Sequence, residues 1–339
     1  MKRSLGIILV IIGIIGLTYV IGTGGKSPVE GLVSFMTDEV NQEYAFDMNQ
    51  IENLNIESRS INVKIEKGSG TSQAIVKLEG VATPSIAKSL KLDSKQSGNM
   101  LQLEASLEDG WKIIQIVNVS MTIELPEKQW NALDVKVGSS NINVNDVATG
   151  RIQTYAGSGN VSIIGATADN LDAKTGSGNI KAESVTGSHM TLKAGSGNIK
   201  LNRAEGKHIE AITSSGNISI EEYLADTMNI RAISGGIDLS DGFAELTAKA
   251  TSGNIKLDAE QLRYDTKLEA SSGNITVELE QDPESLSVDY MGGSGVGKVK
   301  KNGFTVSEMT TDKDAIKGMF GDGKVLLYAR TSSGNFTLK

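Results

Sequence analysis

The chain is dominated by an alternation of apolar and polar positions that restarts every 19 residues. The repeat is counted from a glycine that recurs at positions 159, 178, 197, 216 and 235. Apolar or small side chains stand seven, five and three positions before this glycine, and two and four positions after it. Because alternation with a period of two is typical of strands with one buried face, the pattern predicts two short strands in each repeat.

Each repeat is too short to bury its own apolar face. Around position 197 the alternating residues are Met190, Leu192, Ala194, Ile199 and Leu201. Successive repeats must therefore stack, so that every residue lies above its counterpart one period away. We predict an all-β protein, a parallel β-solenoid with coils of about 19 residues.

A Ser-Gly-Asn segment separates the two strands in most repeats, as in Ser177-Gly178-Asn179. We interpret this segment as a tight corner in which glycine and asparagine adopt positive φ at low steric cost. Stacking would align the asparagines into an amide ladder along the solenoid axis. The asparagines of this column are Asn141, Asn160, Asn179, Asn198, Asn217, Asn254 and Asn274.

The strength of the repeat divides the chain into parts. Residues 131–280 hold the regular coils, and residues 51–130 are predicted to form a degenerate N-terminal part of the solenoid, with Arg59 at a corner. Residues 281–339 are predicted to be an irregular insertion followed by a final coil. Residues 27–50 are predicted to be a linker or a cap.

The first 26 residues are predicted to anchor the chain in a membrane. Lys2 and Arg3 precede an apolar run from Leu5 to Gly22, whose 18 residues would span about 27 Å as a helix. The positive-inside rule keeps the N-terminus in the cytoplasm and exports the body. A cleaved signal peptide is the alternative, although the run is long for one and contains no alanine. We therefore predict a single-pass protein of the cell membrane with an extracytoplasmic body.

Composition and charge mainly exclude certain classes of function and kinds of site. The formal net charge of −8 argues against a nucleic-acid binder, which would normally carry a basic surface excess. The chain has no cysteine, which excludes disulfides, thiolate metal sites, a cysteine nucleophile and a lipid anchor on cysteine. We predict neither a cofactor nor a metal site.

The chain also resembles a known family. The features that carry the resemblance are the strand Val119–Leu125 before Pro126, the alternating segment 133–138 that leads into a corner, and the serial Ser-Gly-Asn-Ile corners. They resemble the bacterial "putative adhesin" domain family over roughly residues 45–339. With its anchor, the chain is similar to LiaG-like membrane-anchored envelope proteins of Gram-positive bacteria. The resemblance implies a β-solenoid at the outer face of the cytoplasmic membrane, a link with envelope stress and no catalytic residues.

Two further patterns resemble ligand sites. Residues 292–298 match the start of a phosphate-binding loop, but Val299 stands where the Mg²⁺-binding hydroxyl belongs and no helix is predicted to follow. We interpret this segment as a flexible loop. His189 and His208 are one repeat apart, so stacking would bring them onto adjacent coils. Two ligands are too few for a structural metal site, and we interpret both as surface residues.

A carbohydrate-active enzyme would need paired carboxylates in a groove. Asp238, Asp241 and Glu245 cluster in the sequence where Gly236 interrupts the asparagine pattern. Nothing else marks these residues, and aromatic side chains that could stack on sugars make up only 4% of the chain. We therefore predict that the protein is not an enzyme.

Outward positions on either side of the corner suggest a binding surface. Basic residues recur four positions before the corner glycine and three after it, and would form a stripe on an otherwise acidic protein. The stripe residues are Lys174, Lys181, Lys193, Lys200, Arg231 and Lys249. Such a stripe would dock an anionic polymer or lipid head groups. The alternative is that these charges, balanced by acidic neighbours, only keep a strand face soluble.

These observations predict an adhesin-like interaction or scaffold protein of the cell envelope. Its partner would be an envelope polymer, a lipid surface or a membrane protein. A self-assembling structural solenoid is the first alternative, and the irregular, charged segments 37–50 and 311–324 argue against it because caps block edge pairing. A carbohydrate-active enzyme is the second alternative.

Overall fold

The computed structural model describes residues 36–70, 72–106 and 117–339. They form 25 strands and one short helix, α1 (Pro84–Ser89), and all the strands belong to one continuous sheet. The all-β prediction is confirmed. The predicted anchor, residues 1–26, lies outside the described residues and stays a prediction. No helix in the described part of the chain is long and apolar enough to cross a bilayer.

The regular part of the chain is a stack of coils whose neighbours pair in parallel. Ile199 lies opposite Ile218, and Ile218 lies opposite Ile237, so the register advances by one repeat per coil as predicted. The strands of these coils are β8 (Trp130–Val137), β9 (Ile142–Asn145), β10 (Ala148–Ala156), β11 (Val161–Ile164), β12 (Thr167–Thr175), β13 (Ile180–Ala194), β14 (Ile199–Ser215), β15 (Ile218–Ser234), β16 (Ile237–Ser252), β17 (Ile255–Ala259), β18 (Thr266–Ser272) and β19 (Ile275–Leu279).

The core is a narrow set of aliphatic columns. Side chains at all five predicted inward positions are buried in every coil from Ile152 to Val277, and Ile218 is 0% exposed. Full burial of such a side chain contributes about 1.5–3 kcal/mol relative to leaving it exposed. The predicted inward face is therefore confirmed, and the outward positions alone are left to carry a binding surface.

The Ser-Gly-Asn segment, here called the first corner, is tight because successive backbones meet there. A Cβ added to Gly178 would lie 1.9 Å from the carbonyl oxygen of Gly159, and one added to Gly197 would lie 1.9 Å from that of Gly178. Only glycine permits this approach. The expectation that these glycines adopt positive φ is not met at Gly178 and Gly197, whereas Gly235 has φ of 150° and Gly334 has φ of 159°.

The asparagines of the first corner form the predicted amide ladder. The backbone N–H of Asn179 donates to Oδ1 of Asn160 at 2.9 Å, and the same bond links the following coils. At the last rung of this run the N–H of Gly236 donates to Oδ1 of Asn217 at 2.8 Å. Because Gly236 has no side chain, the ladder is interrupted there and restarts at Asn254.

A second corner follows six residues after the corner glycine. Its residues have φ between 53° and 65°, in the left-handed region, and are Asp146, Gly165, Ser184, Arg203, Glu222 and Asp241. Beyond it a short third segment pairs between coils, for example 185–187 with 204–206. The coils from β10 to β16 therefore have three paired segments rather than the two that were predicted, whereas no third segment lies between β17 and β18.

At the N-terminal end, the order of the coils in space differs from their order in the chain. The strands here are β1 (Asp38–Asp47), β2 (Asn53–Ser58), β3 (Asn62–Lys67), β4 (Gln73–Ala82), β5 (Lys91–Ser97), β6 (Met100–Ser106) and β7 (Val117–Leu125). The coil of β2 and β3 lies between the coil of β8 and β9 and an outer layer of β6 and β7, all in parallel. Antiparallel strands complete the end, with β5 on β6 and with β4 and then β1 on β7. The backbone N–H of Ser139 donates to the carbonyl of Arg59, which lies at a corner as predicted.

The C-terminal end shows the same swap of order. Its strands are β20 (Leu286–Met291), β21 (Gly297–Val299), β22 (Thr305–Met309), β23 (Ala315–Phe320), β24 (Val325–Ser333) and β25 (Phe336–Leu338). The last coil of the chain, β24 and β25, lies between the coil of β18 and β19 and an outer coil of β20 and β21. From β20 the sheet continues antiparallel through β23 to β22. Much of the predicted insertion therefore supplies an additional outer coil.

Candidate functional site

The structure places the six predicted stripe residues in two outward columns. Lys174, Lys193, Arg231 and Lys249 lie before the first corner, where Lys174 is opposite Lys193 and Arg231 is opposite Lys249. The remaining two, Lys181 and Lys200, lie opposite each other after the corner. The predicted stripe is thus divided by the first corner.

The column before the corner is longer than predicted, because it continues through the swapped coil at the C-terminal end. We call ten consecutive residues of this column the basic column, and in spatial order they are Lys136, Tyr155, Lys174, Lys193, Ile212, Arg231, Lys249, Glu269, Arg330 and Met291. Beyond Lys136 the same line of positions is acidic, with Glu57, Glu104 and Asp93. Six of these ten residues are basic and one is acidic. Nine strand spacings of ~4.8 Å give the column a length of about 43 Å.

Sequence reasoning missed two basic members of this column. Lys136 and Arg330 stand four positions before the corner residues Ser140 and Gly334, so the offset rule would have found both in the first and last regular coils. Arg330 lies directly opposite Glu269 because the last coil of the chain is inserted beside β18.

Acidic side chains neutralise part of the basic column. Nζ of Lys174 lies 2.5 Å from Oδ2 of Asp172, and Nζ of Lys193 lies 2.7 Å from Oε2 of Glu210. The side chains of Lys174 and Lys193 nevertheless remain 40% and 41% exposed. Exposed ion pairs of this kind contribute little stability, so a multivalent anion can compete for these lysines. Arg231 forms no ion pair with any residue that the structure describes.

Glu269, the one acidic member, is held by two lysines. Its carboxylate oxygens lie 3.3 Å from Nζ of Lys249 and 3.2 Å from Nζ of Lys267. Burial raises the pKa of the Glu269 carboxyl, but the hydrogen bonds from Lys267 and Lys249 outweigh burial and bring the pKa below its ordinary value. Glu269 is therefore ionised at neutral pH, and its charge is compensated within the same face.

Two members of the basic column expose apolar surface. Tyr155 is 45% exposed and lies between Lys136 and Lys174, and Met291 is 44% exposed and lies beside Arg330. Ring, aliphatic and cationic groups thus follow one another along a straight line. Such a line suits an extended ligand with regularly spaced anionic groups.

The column after the corner is mixed in charge. In spatial order it includes Ser162, Lys181, Lys200, Ser219, Asp238 and Lys256. Nζ of Lys181 lies 2.6 Å from Oε2 of Glu183, which also pairs with Arg203. Hydrogen bonds from Lys181 and then Arg203 lower the pKa of the Glu183 carboxyl. This column does not present continuous positive charge.

The two histidines lie on adjacent coils, as the repeat predicted. The ring centroids of His189 and His208 are 5.0 Å apart and the rings are inclined by 37°. Nδ1 of His208 is 2.6 Å from Oγ1 of Thr227 in the next coil. Among the described residues, no group of three or more histidines and carboxylates is arranged to hold a metal ion.

The segment that matches a phosphate-binding loop forms the corner of the outer coil. The backbone N–H groups of Gly293 and Ser294 donate to the carbonyls of Thr331 and Ser332. A Cβ on Gly295 would lie 1.5 Å from the carbonyl oxygen of Gly334. Close stacking therefore accounts for these glycines, and the N–H groups that would hold a phosphate are already bonded.

The carboxylates considered for an enzyme are separated by the second corner. Asp238 lies on a paired segment before that corner, opposite Lys256, and Asp241 lies at the corner with φ of 54°. Glu245 lies beyond it, opposite Thr227. The expected cluster is therefore not formed as a single site.

A shallow groove on the third side of the coils is a feature that sequence reasoning missed. It has a volume of about 700 Å³, and its floor is formed by Ala168, Gly187, Gly206 and Ala225. A Cβ on Gly187 would lie 2.2 Å from the carbonyl oxygen of Ala168. Close stacking of the coils is therefore sufficient to explain the small residues of the floor.

Comparison with known families gives one extensive match. Residues 51–240 and 168–339 match the family described as Toastrack DUF4097, and the two matches together cover residues 51–339. No curated protein matches the chain in sequence. The predicted kinship with an adhesin-like repeat family is confirmed, whereas the similarity to LiaG-like proteins stays a prediction.

The chain is also similar, at low identity, to several solved structures. A "putative adhesin" from Parabacteroides distasonis ATCC 8503 is 13% identical, with 89% of this chain and 98% of that chain covered and a TM-score of 0.43. A "putative adhesin" from Parabacteroides merdae ATCC 43184 is 10% identical, with 88% and 96% covered and a TM-score of 0.41. A "putative lipid binding protein" from Parabacteroides distasonis ATCC 8503 is 13% identical, with 88% and 97% covered and a TM-score of 0.36. Likeness at this level carries no argument about function.

Proposed function

The chain belongs to the Toastrack DUF4097 family, and on that premise we propose that it is a non-catalytic interaction or scaffold protein of the cell envelope. Residues 1–26 tether it to the cytoplasmic membrane in this proposal, and the solenoid stands outside the cell. Its basic column binds an anionic envelope polymer, such as a teichoic acid. A role in envelope stress is part of the proposal and rests on the resemblance to LiaG-like proteins.

The observation that carries the proposal is the continuity of the basic column. Six cations and one anion share a line of ten residues in a protein whose formal net charge is −8. A cation close to an anionic surface contributes about 1 kcal/mol, so single contacts are weak and several together are strong. A polymer with repeated phosphates can make several such contacts at once.

The non-catalytic part of the proposal is supported by the surroundings of the titratable groups. The largest shift of pKa in the described chain belongs to Tyr223, where burial and then Asp241 raise the pKa of the hydroxyl. Its ring packs on the next coil, where a Cβ on Gly242 would lie 2.4 Å from it. Core packing therefore explains this shift without a catalytic role.

Two matched triple variants test the binding surface. Lys174→Gln, Lys193→Gln and Lys249→Gln together remove three charges from the basic column. Lys181→Gln, Lys200→Gln and Lys256→Gln remove three charges from the mixed column. The full chain in neutral-lipid nanodiscs is sedimented with intact cell walls, with walls stripped of phosphate polymer and with anionic liposomes.

The basic-column variant should bind intact walls roughly 100-fold more weakly at 0.1 M salt, from three contacts of about 1 kcal/mol each. The mixed-column variant should bind within a few-fold of the wild type. Binding should also weaken as the Debye length falls from ~10 Å at 0.1 M to ~3 Å at 1 M salt. Equal losses in both variants would favour the undivided six-residue stripe, and tighter binding to liposomes than to walls would favour a lipid partner.

The proposed location is tested separately. An alkaline phosphatase fused after residue 339 should be active in whole cells, because the positive-inside rule exports everything after the anchor. An inactive fusion that is nevertheless folded and membrane-bound would place the solenoid in the cytoplasm and exclude a wall polymer as its partner.

A further inference from the structure

Each end of the stack finishes in strands whose outer edges have no partner strand among the residues described. β5 and β1 are outermost at the N-terminal end, and β22 and β21 are outermost at the C-terminal end. The outer edge of such a strand offers N–H and C=O groups to a strand of another chain. Within the described residues both ends therefore remain open to further strand pairing. The expectation that segments 37–50 and 311–324 cap the ends is not met, because β1 is itself an outermost strand and β22 lies outside β23.

One outward column carries an unpaired charge of opposite sign at each end. We call it the end-to-end column. In spatial order it begins with Lys95, Gln102, Asn55 and Asp134, and it finishes with Tyr328, Asp289, Lys317 and Glu308. Asp289 and Lys317 pair with each other at 3.5 Å. Lys95 and Glu308 form no ion pair within the described parts of the chain, so each end has one free charge in the same column.

Apolar side chains are also left uncovered at the C-terminal end. Val306 and Met309 continue the inward columns of Val288 and Tyr290, which are buried. Because β22 is the last strand, Val306 and Met309 remain 47% and 52% exposed. A further strand in the same stack would cover them.

We propose that copies of this chain associate head to tail, with β22 of one copy pairing antiparallel with β5 of the next. β22 runs in the direction of the regular strands and β5 runs against it, so the pairing is antiparallel. When the columns of the two copies are aligned, Glu308 of one copy lies opposite Lys95 of the next. Val306 then lies opposite Gln96, and Met309 lies opposite Ser94. Opposite charges stabilise a cross-strand pair, whereas like charges destabilise it.

The other side of the coils tolerates this arrangement. The strands between the coil of β24 and β25 in one copy and the coil of β2 and β3 in the next can be counted on each side. On the side of the proposed pairing there are five, namely β20, β23 and β22 of the first copy and β5 and β6 of the second. On the other side there are four, namely β21 of the first copy and β1, β4 and β7 of the second. The second side therefore has a gap of one strand spacing, ~4.8 Å. Lys298 on β21 and Glu43 on β1 occupy the same column and face each other across this gap. Their separation of about two spacings is within the Debye length of ~10 Å at 0.1 M salt, so the charges attract.

The contact is heterologous, since two different surfaces of the chain meet. Such a contact does not close on itself and produces an open row of copies. In such a row Asp93, Glu104 and Glu57 lie between the basic columns of successive molecules, so each basic column remains a separate surface. The association does not depend on the proposed polymer binding, and each can fail without the other.

Introduced cysteines test the contact directly, because the chain has none of its own. Residues opposite each other in an antiparallel pair have Cα atoms about 4.5–5.5 Å apart, within the usual range for a disulfide. Full-length Ser94→Cys and Met309→Cys chains carry different tags and are oxidised in membranes, first separately and then as a mixture. A double variant that carries both cysteines in one chain is oxidised in the same way. The mixture should give a disulfide-linked dimer of the two tags, and the double variant a ladder of oligomers. Dimers formed equally by a single variant, or no mixed dimer, would overturn the proposal.

Charge reversal in the same cysteine chains sharpens the test. Glu308→Lys added to the Met309→Cys chain should lower the yield of mixed dimer at least about tenfold, because the introduced lysine would face Lys95. Adding Lys95→Glu to the Ser94→Cys chain should restore the yield. Glu205→Lys, an exposed change of the same charge in the middle of the solenoid, is the matched control and should leave the yield unchanged. Loss of yield with the control, or no rescue by the paired reversal, would contradict a specific Glu308–Lys95 contact.

Discussion

The two corners of each coil turn the chain from one paired segment to the next by different means. At the first corner, a glycine allows two backbones to approach closely, and an asparagine bonds through its side chain to the next coil. At the second corner, one residue in each coil adopts a left-handed conformation, and its side chain varies from Asp and Ser to Arg and Glu. The first corner therefore depends on residue type, and the second depends mainly on backbone conformation.

This difference explains why only one corner is visible as a motif. A repeated side chain is required where it bonds to its own copy in the neighbouring coil, as in the asparagine ladder. A left-handed residue other than glycine costs of order 1 kcal/mol, a penalty that coil stacking can outweigh without a fixed residue type. Regular sequence spacing thus marks the contacts between coils rather than every turn within them.

The largest expected effect separates the two corners by substitution. Gly197→Ala should lower the free energy of unfolding by about 3 kcal/mol, because the added Cβ would lie 1.9 Å from the carbonyl oxygen of Gly178. Glu222→Ala, an exposed change at the second corner, should alter it by no more than about 0.5 kcal/mol. Urea unfolding of both variants checks the comparison, and similar losses at the two sites would show that the corners do not differ in this way.

The regular part of the fold was predictable because its inward positions repeat with little variation. Ile199 and Ile218 were assigned to the core from the period alone, and both are buried. The swapped order at the ends was not predictable in the same way. The apolar positions counted from a corner glycine identify a coil, as they do around Gly334. They do not predict which other coil lies beside it in space. In the outer coil of β20 and β21, moreover, the corner Gly295 is not followed by asparagine.

A smaller effect of opposite sign is expected where the ladder is interrupted. Gly236→Asn should raise the free energy of unfolding by about 1 kcal/mol, since it supplies the missing side-chain acceptor and removes a flexible glycine. A Cβ at this position meets nothing closer than 3.4 Å, and Gly236 has no positive φ. Gly236→Ala is the matched control, and its free energy of unfolding should rise only by the part that comes from replacing glycine. An asparagine variant no more stable than the alanine variant would show that the rung adds nothing.

The candidate site was only partly predictable for a related reason. The offsets correctly aligned Lys174 with Lys193 and Lys181 with Lys200. The offsets also put Asp238 in the second column, three positions after Gly235, but they did not show that Glu183 pairs with both Lys181 and Arg203. Nor did they place Arg330 beside Glu269, which depends on the swapped order of the final coils.

Residue-resolved hydrogen–deuterium exchange of the corner asparagines tests the stacking most directly. The backbone N–H groups of Asn198, Asn217 and Asn335 donate to the side chain of the neighbouring rung, and Asn335 does so across the swapped final coil. The N–H of Asn254 has no such acceptor within the described chain, because its neighbour is Gly236. The amide of Asn254 should therefore exchange at least about tenfold faster than the other three, since unbonded amides exchange from local openings of low free energy. Slow exchange at Asn254, or fast exchange at Asn335, would contradict the ladder and the order of the coils.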